Sequence, residues 1–504
     1  MLLRCLIVFF LAAAAGPGLA EEPDYTIRIE VTAAAPDEVW KEISTRHFLV
    51  VGNAGERQLR RIAVDLEELR RQVLRILPGA ESKSGARTSV VVFRNAKSFH
   101  QFQQVAGTVP KTAGYVHSGG DLSYITLNAG EKNRRALYHS FVHVLLQDMP
   151  FPLWLREGLA EYYSAFTNER YLFGEGRTAV VGYPILDYER LLREGSLIPL
   201  AELMDLRADS PLYDENDPKN VFRGESWAFV HFLHEALPIE SLKRFITLLA
   251  SGASQHESFI EVFRLDSSEL ESALRNYIDN SKTSGWPHTR VPYCMCQSAP
   301  GDWLQFNSDN LQASVKERGA RTLSEAEIQF HLGDLMLHSG HLQKAEAYLA
   351  KAVRLRPEVA GVHTSLGLLR LRQSDFSRAA ESLSRALELD PNSALAHFYY
   401  ASLIRLEESK TETALSQEKL ESMQLALIKA LELAPHFEEA RNMLIDVNVS
   451  LGRADLNARL EQKEPVEIAG VPDPRINLTK RNRWVVSVDQ LQEQSRGKKK
   501  KKNN

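Results

Sequence analysis

Apolar residues recur along this chain at two distinct periods. Within Glu56–Leu77 they fall at Leu59, Ile62, Leu66, Leu69, Val73 and Leu77, the spacing of one helical face. Just before it, His47-Phe-Leu-Val-Val-Gly-Asn53 reads as a short strand. Thr88–Arg94 reads as another, whose three consecutive valines predict burial. Gly114–Val116 and Tyr124–Asn128 flank Gly119-Gly120, the pattern of a hairpin. Helices dominate from Glu131 onward, so residues from about 38 to 281 read as one mixed α/β domain. Residues from about 282 to 320 carry Gly285-Trp286-Pro287, Val291-Pro292 and Ala299-Pro300, a composition that predicts a linker.

Beyond it the pattern repeats itself. Leu332-Gly333, Ala345, Leu349, Ala352 and Pro357 recur 34 residues later as Leu366-Gly367, Ala379, Leu383, Ala386 and Pro391. That step resembles the tetratricopeptide helix–turn–helix period, in which small residues let paired helices approach and Pro ends the unit. A third unit ends at Ala430 and Pro435, with about ten extra residues assigned to the polar Glu407–Gln417 stretch, and 438–460 caps the stack. The resemblance implies an all-α solenoid over 321–460 whose concave face holds a peptide or protein partner. The alternative is a solenoid that merely extends the first domain.

Composition changes the picture at the two ends. With 504 residues, 44% hydrophobic and 25% charged, the chain is not a collagen, a disulfide scaffold or a wholly disordered protein. Arg4, the apolar run Cys5–Ala15 and the small residues Gly18-Leu19-Ala20 predict a secretory signal peptide cleaved after Ala20. The run is too short for a membrane span, and no other segment approaches one. The expectation is therefore an exported protein, periplasmic or secreted, with an N-terminal extension over 21–37. Cys5 leaves with the signal. Cys294 and Cys296 remain, and a local disulfide or reactive thiols both stay open. The net charge of −4 argues against a globally basic nucleic-acid binder, and no specific nucleic-acid binding is expected. It hides a tail, 461–504, whose Lys498–Lys502 run predicts a solvated, flexible end with weak attraction to anionic surfaces.

The segment that carries chemistry is Tyr138-His-Ser-Phe-Val-His143, followed by Pro152-Leu-Trp-Leu-Arg-Glu-Gly-Leu-Ala-Glu-Tyr162. His139 and His143 lie four apart on a helix predicted over Glu131–Gln147, so they share a face and can reach one zinc ion. Glu157, on a second predicted helix, is the candidate third ligand, and Glu161 one turn later could orient a ligand His. Taken alone, a His-x-x-x-His pair also suits two hydrogen-bonded core histidines. His231 and His234, three apart, read as structural or surface residues.

The two segments together resemble the zinc centre of gluzincin peptidases, and more closely the peptidase-MA-like domains of exported bacterial proteins. The likeness extends to His47–Asn53, Thr88–Asn95, Tyr124–Asn128 and Ser226-Trp-Ala-Phe-Val-His231, and so covers about 40–280. It implies an α+β thermolysin-like metallopeptidase domain, a mixed sheet plus a helical subdomain, ahead of the all-α tetratricopeptide solenoid. It also implies zinc as cofactor. The strand before the metal helix, Tyr124, Ile125, Thr126, Leu127 and Asn128, becomes the sheet edge on which an extended substrate lies.

One departure decides the expected activity. The family has Glu directly after the first His, where this chain has Ser140. A serine hydroxyl is no base near neutral pH, and a general base is worth about 10²–10⁴ in rate. Three readings follow: a non-catalytic zinc and peptide-binding domain, a zinc hydrolase using another base such as Glu161 or Glu225, or a metal-free scaffold for the repeats. Tyr213 or Tyr162 could stabilise an oxyanion in an active relative, and the sequence selects neither.

Overall fold

Strand Thr88–Phe93 (β3) is hydrophobic at every position from Val90 onward, and residues alternate between the faces of a sheet. Both faces must therefore be covered, and the rest of the fold answers that demand. The computed structural model of the chain describes residues 38–77, 87–106, 114–118, 121–147, 149–170, 177–194, 197–213, 221–284, 286, 289–291, 319–409, 415–457 and 460. The predicted signal peptide and extension, Cys294, Cys296 and the lysine-bearing tail lie outside them.

β3 sits inside a mixed six-stranded sheet with Lys41–Ser44 (β1), Phe48–Gly52 (β2), Gly114–Ser118 (β4), Ser123–Asn128 (β5) and Arg321–Thr322 (β9). The order is β4-β5-β3-β2-β1-β9. β2 and β5 run parallel to β3, and the outer pairs are antiparallel. Helix α1, Glu56–Leu74, follows the predicted stripe, and α2, Ala96–Ala106, follows β3.

On one face Phe48, Val50, Val90, Val92, Ile125 and Leu127 pack with Leu59, Ile62, Leu66 and Leu69 of α1 and with Phe141 and Val142. On the other face Val51, Val91, Phe93 and Tyr124 join Trp40, Phe99 and Phe102. That second core continues without a break into Leu332, Leu335, Met336, Leu349 and Leu369 of the C-terminal helices. Polar groups tie the same contact. The Tyr124 hydroxyl donates to the Asp334 carboxylate, which also accepts from Ser365 at 2.5 Å. Tyr399 OH donates to Asp121 Oδ2 at 2.6 Å, and His338 Nε2 lies 3.6 Å from the same oxygen.

The C-terminal helices alternate as pairs: Glu325–His338 (α11) with Leu342–Leu355 (α12), Ala360–Arg372 (α13) with Phe376–Leu389 (α14), and Ala394–Ser409 (α15) with Gln417–Leu433 (α16). Glu438–Ser450 (α17) follows. A Cβ on Gly367 would come within 2.6 Å of Leu383, so the glycine lets α13 and α14 approach. Asp334 of α11 and Tyr399 of α15 reach Tyr124 and Asp121 at the sheet, and Ser365 of α13 bonds Asp334 beside them.

The remaining elements build a helical region behind the first face: Arg135–Leu146 (α3), Leu153–Ser164 (α4), Leu186–Glu194 (α5), Leu200–Asp205 (α6), Val221–Glu235 (α7), Ile239–Ala250 (α8), Gln255–Phe263 (α9) and Ser267–Ser284 (α10). A small sheet of Thr167–Arg170 (β6), Arg177–Val181 (β7) and Thr289–Val291 (β8) lies beside it. Trp286 is buried in the same core, so the predicted connection sends a tryptophan and a strand back into the N-terminal half. No helix among the described residues is long and apolar enough to cross a membrane.

One expectation is corrected. Tyr124, Ile125, Thr126, Leu127 and Asn128 do not form the sheet edge, because β5 pairs with β3 on one side and β4 on the other. The hairpin folds back outside it, and β4 is the edge. Thr126 is fully buried as a result.

The shared core predicts a shared opening. Amides of β3 and α11 should exchange with one common free energy, and Phe93→Ala should lower both by about 3–5 kcal/mol. Hydrogen exchange that reports a loss in one element alone would separate the two halves.

Candidate metal centre

The site is carried by three helices wedged against each other. Asn133 accepts the Arg135 N–H at 3.1 Å, and α3 begins there, four residues later than the sequence pattern predicts. After a turn through Pro150, Pro152 precedes α4, which is buried along almost its whole length. Trp154 stacks on Phe229 of α7 with ring centroids 4.5 Å apart. α7 comes so close that a Cβ on Gly158 would lie 2.4 Å from the Ser226 carbonyl oxygen. Glycine between Glu157 and the rest of α4 is what brings both acids against α7.

The sequence-predicted ligands converge. His139 Nε2 and His143 Nε2 lie 3.0 Å apart. Glu157 Oε1 is 3.3 Å from His143 Nε2, and Glu157 Oε2 is 3.7 Å from His139 Nε2. Glu161 Oε1 stands 3.2 Å from His139 Nδ1, the nitrogen facing away from that triangle. The side chains of Glu157 and Glu161 are 3% and 2% exposed while that of His143 is 29% exposed, so the cluster opens to solvent on the His143 side.

Zinc bonds of about 2.0–2.1 Å in tetrahedral geometry place neighbouring ligand atoms about 3.3 Å apart. The observed separations bracket that value. Glu157 Oε2 is buried with no hydrogen bond and has only the ion pair with Arg223 at 3.3 Å, which leaves it able to accept a metal. The donor set, two imidazole nitrogens and a carboxylate, suits zinc. These residues fit a metal.

Two arginines that sequence reasoning passed over complete the site. Arg223 Nε lies 3.3 Å from Glu157 Oε2, and its Nη1 lies 3.8 Å from Glu161 Oε1. Arg135 Nη2 donates to Glu161 Oε2 at 2.9 Å and to Tyr188 OH at 3.2 Å. Signals for both existed. Arg135, His139 and His143 form one stripe at four-residue spacing, and Arg223 stands four before Trp227 on a helix that is buried along most of its length.

Burial alone pushes the Glu161 carboxyl up. The hydrogen bond and charge of His139, the Arg135 guanidinium and the Tyr188 hydroxyl outweigh it and hold the group at about 2. Burial also raises Glu157, and His143, Arg223 and His139 together bring it below its ordinary value. Both acids therefore stay ionised.

The other candidates separate clearly. Ser140 Oγ donates to the Ala136 carbonyl at 3.0 Å, one turn back along α3. Tyr213 OH donates to Glu157 Oε1 at 3.1 Å, whereas Tyr162 OH is engaged with His234 and Glu235. Glu225 accepts the Ile198 N–H at 2.7 Å, and burial pushes its carboxyl up to about 8. His231 is fully buried between Tyr277 OH and the Gly182 carbonyl, and burial lowers it to about 4.

Family models of the tetratricopeptide repeat match residues 326–359 and 364–417. The helices within residues 326–417 are tetratricopeptide repeats. No peptidase-MA-like or gluzincin family is detected, and no curated protein matches the chain. The tetratricopeptide repeats are the part of this chain suited to interaction with other proteins.

The two buried acids should act on stability in opposite directions. Glu161, lowered in the fold, stabilises above its unfolded value of about 4.3, and that contribution is lost as pH falls toward 2. Glu225, raised in the fold, costs nothing below about 4.3 and progressively more as pH rises to 8. In thermal melts across this range, Glu161→Gln should lose about 3–5 kcal/mol at neutral pH and flatten the acid limb. Glu225→Gln should gain on wild type as pH rises. Parallel profiles for all three proteins would contradict the assignment.

Proposed function

We propose that residues 38–281 form a gluzincin-like, thermolysin-like domain. It holds zinc through His139, His143 and Glu157 and binds a peptide carboxylate or similar anion without hydrolysing it. The attached repeats take a protein partner, and the N-terminal pattern supports export to the periplasm or the exterior. One observation carries this reading: the two imidazole nitrogens lie 3.0 Å apart with one Glu157 oxygen 3.3 Å from His143 and the other 3.7 Å from His139, while the side chain in the general-base position, Ser140, bonds to its own helix.

Zinc, when bound, supplies a Lewis-acidic positive centre. The chain's own residues do the rest. Glu161 orients His139 through Nδ1, Tyr213 and Arg223 hold Glu157, and the His143 side gives an anion its approach.

A hydrolase with another base is less well supported. Glu161 is saturated by Arg135, His139 and Arg223, and a group held at about 2 is a poor base near pH 7. Glu225, pushed up to about 8 by burial, is mostly protonated near pH 7 and accepts the Ile198 N–H. A metal-free scaffold leaves the two imidazoles and Glu157 drawn together with no shared ion, although Arg223 compensates the Glu157 charge.

Metal analysis of the zinc-loaded full chain tests the assignment. Wild type should retain about one zinc and His143→Ala should lose it, because each removed ligand leaves an open tetrahedral position. A metal-free wild type after loading defeats the metal reading. Peptide hydrolysis should be absent from wild type and appear in Ser140→Glu, by up to about 10²–10⁴ over the parent. Wild-type hydrolysis that His139→Ala abolishes would make the protein a peptidase.

A further inference from the structure

We infer that Arg223 sets how tightly the site holds its metal, as a fixed counter-charge to the ligand carboxylate. The inference rests on His139, His143 and Glu157 being the metal donors.

Its basis is charge and place. The Arg223 side chain is 8% exposed and lies against both acids of α4, 3.3 Å from Glu157 Oε2 and 3.8 Å from Glu161 Oε1. Arg135 adds a second guanidinium, 2.9 Å from Glu161 Oε2. Two carboxylates thus meet two guanidiniums, and with neutral imidazoles the fixed charges of the cluster cancel. A divalent cation entering there meets no net negative charge.

Outer partners of metal ligands are ordinarily carboxylates or carbonyls that raise ligand basicity. Glu161 stands in that place beside His139, but its own charge is shared with Arg135 and Arg223. Glu157 fares similarly, since a guanidinium and the Tyr213 hydroxyl draw on its oxygens. An arginine cannot relieve this by losing its proton. In a site of low local dielectric the repulsion between guanidinium and metal is poorly screened. The metal is consequently held less tightly than the same donors would hold it without the guanidiniums, and it retains more of its positive charge toward an anion on the open side.

The same cation has a second duty in the fold. Without a partner, the buried carboxylate of Glu157 is left uncompensated. Removing Arg223 should therefore weaken the metal-free protein and strengthen its grip on metal. A residue that only props up Glu157 would weaken both.

The test uses the intact chain and zinc alone, titrated against a chromophoric chelator, with thermal melts in parallel. Arg223→Met should bind zinc about tenfold or more tighter than wild type. Its zinc-induced rise in Tm should exceed that of wild type, as ligand linkage requires. Arg223→Lys, which keeps the charge, should stay near wild type. Should Arg223→Met fail to fold, Arg135→Gln removes the other guanidinium and should tighten zinc in the same direction. Equal or weaker zinc binding by the folded neutral variants overturns the role given to Arg223. Absence of zinc binding by every protein, wild type included, overturns the metal reading itself and the inference with it.

Discussion

Val90 and Val92 point to one side of the central sheet and Val91 and Phe93 to the other, and this alternation obliges the chain to supply two covers. The first comes from α1 and α3. The second comes from the first tetratricopeptide helices, more than two hundred residues later, through Leu335 and Met336. Burial at about 25 cal/mol per Å² of apolar surface makes either face costly to expose. The first repeat helices therefore cover one face of this domain's sheet, and the contacts of Asp334 with Tyr124 and of Tyr399 with Asp121 follow from that duty. Surfaces for a partner must be sought on the rest of the array.

The first cover also fixes the site. α3 lies on the sheet through Phe141 and Val142, which leaves His139 and His143 facing α4. α4 is held in turn by α7 through Trp154 on Phe229 and by the close passage at Gly158. Each acid and imidazole is thus placed by apolar packing, and the polar contacts refine positions already given. Glu157 and Glu161 are tolerated at this depth because each has an arginine and a histidine against it.

Features set by short-range pattern were readable in advance. The stripe of α1, the β4–β5 hairpin, the 34-residue repeat and the spacing of His139, His143 and Glu157 depend on residues close in sequence or on a fixed period. What escaped depends on pairing over long distances. Arg223 stands 66 positions from Glu157, and nothing in either segment specifies the other. Which strand forms the edge is decided by how the hairpin swings, and Tyr124–Asn128 has the same composition inside a sheet as at its border. The lysine run and the two cysteines, Cys294 and Cys296, are legible only as composition.

Ser140 and Arg223 act on the same quantity from two sides. A hydrolytic zinc site needs a nearby carboxylate that can carry a proton, and replacing it with serine removes one negative charge along with one base. Arg223 then adds a permanent positive charge beside a ligand. Each change alone would move the centre from hydrolysis toward attraction of anions. Under the proposed reading, the pair turns a scaffold built for bond cleavage into one suited to holding a carboxylate. Placing Glu at 140 while Arg223 stays would supply a base but leave the metal less tightly held than the donors alone would allow, so hydrolysis by that variant is bounded by the charge that remains.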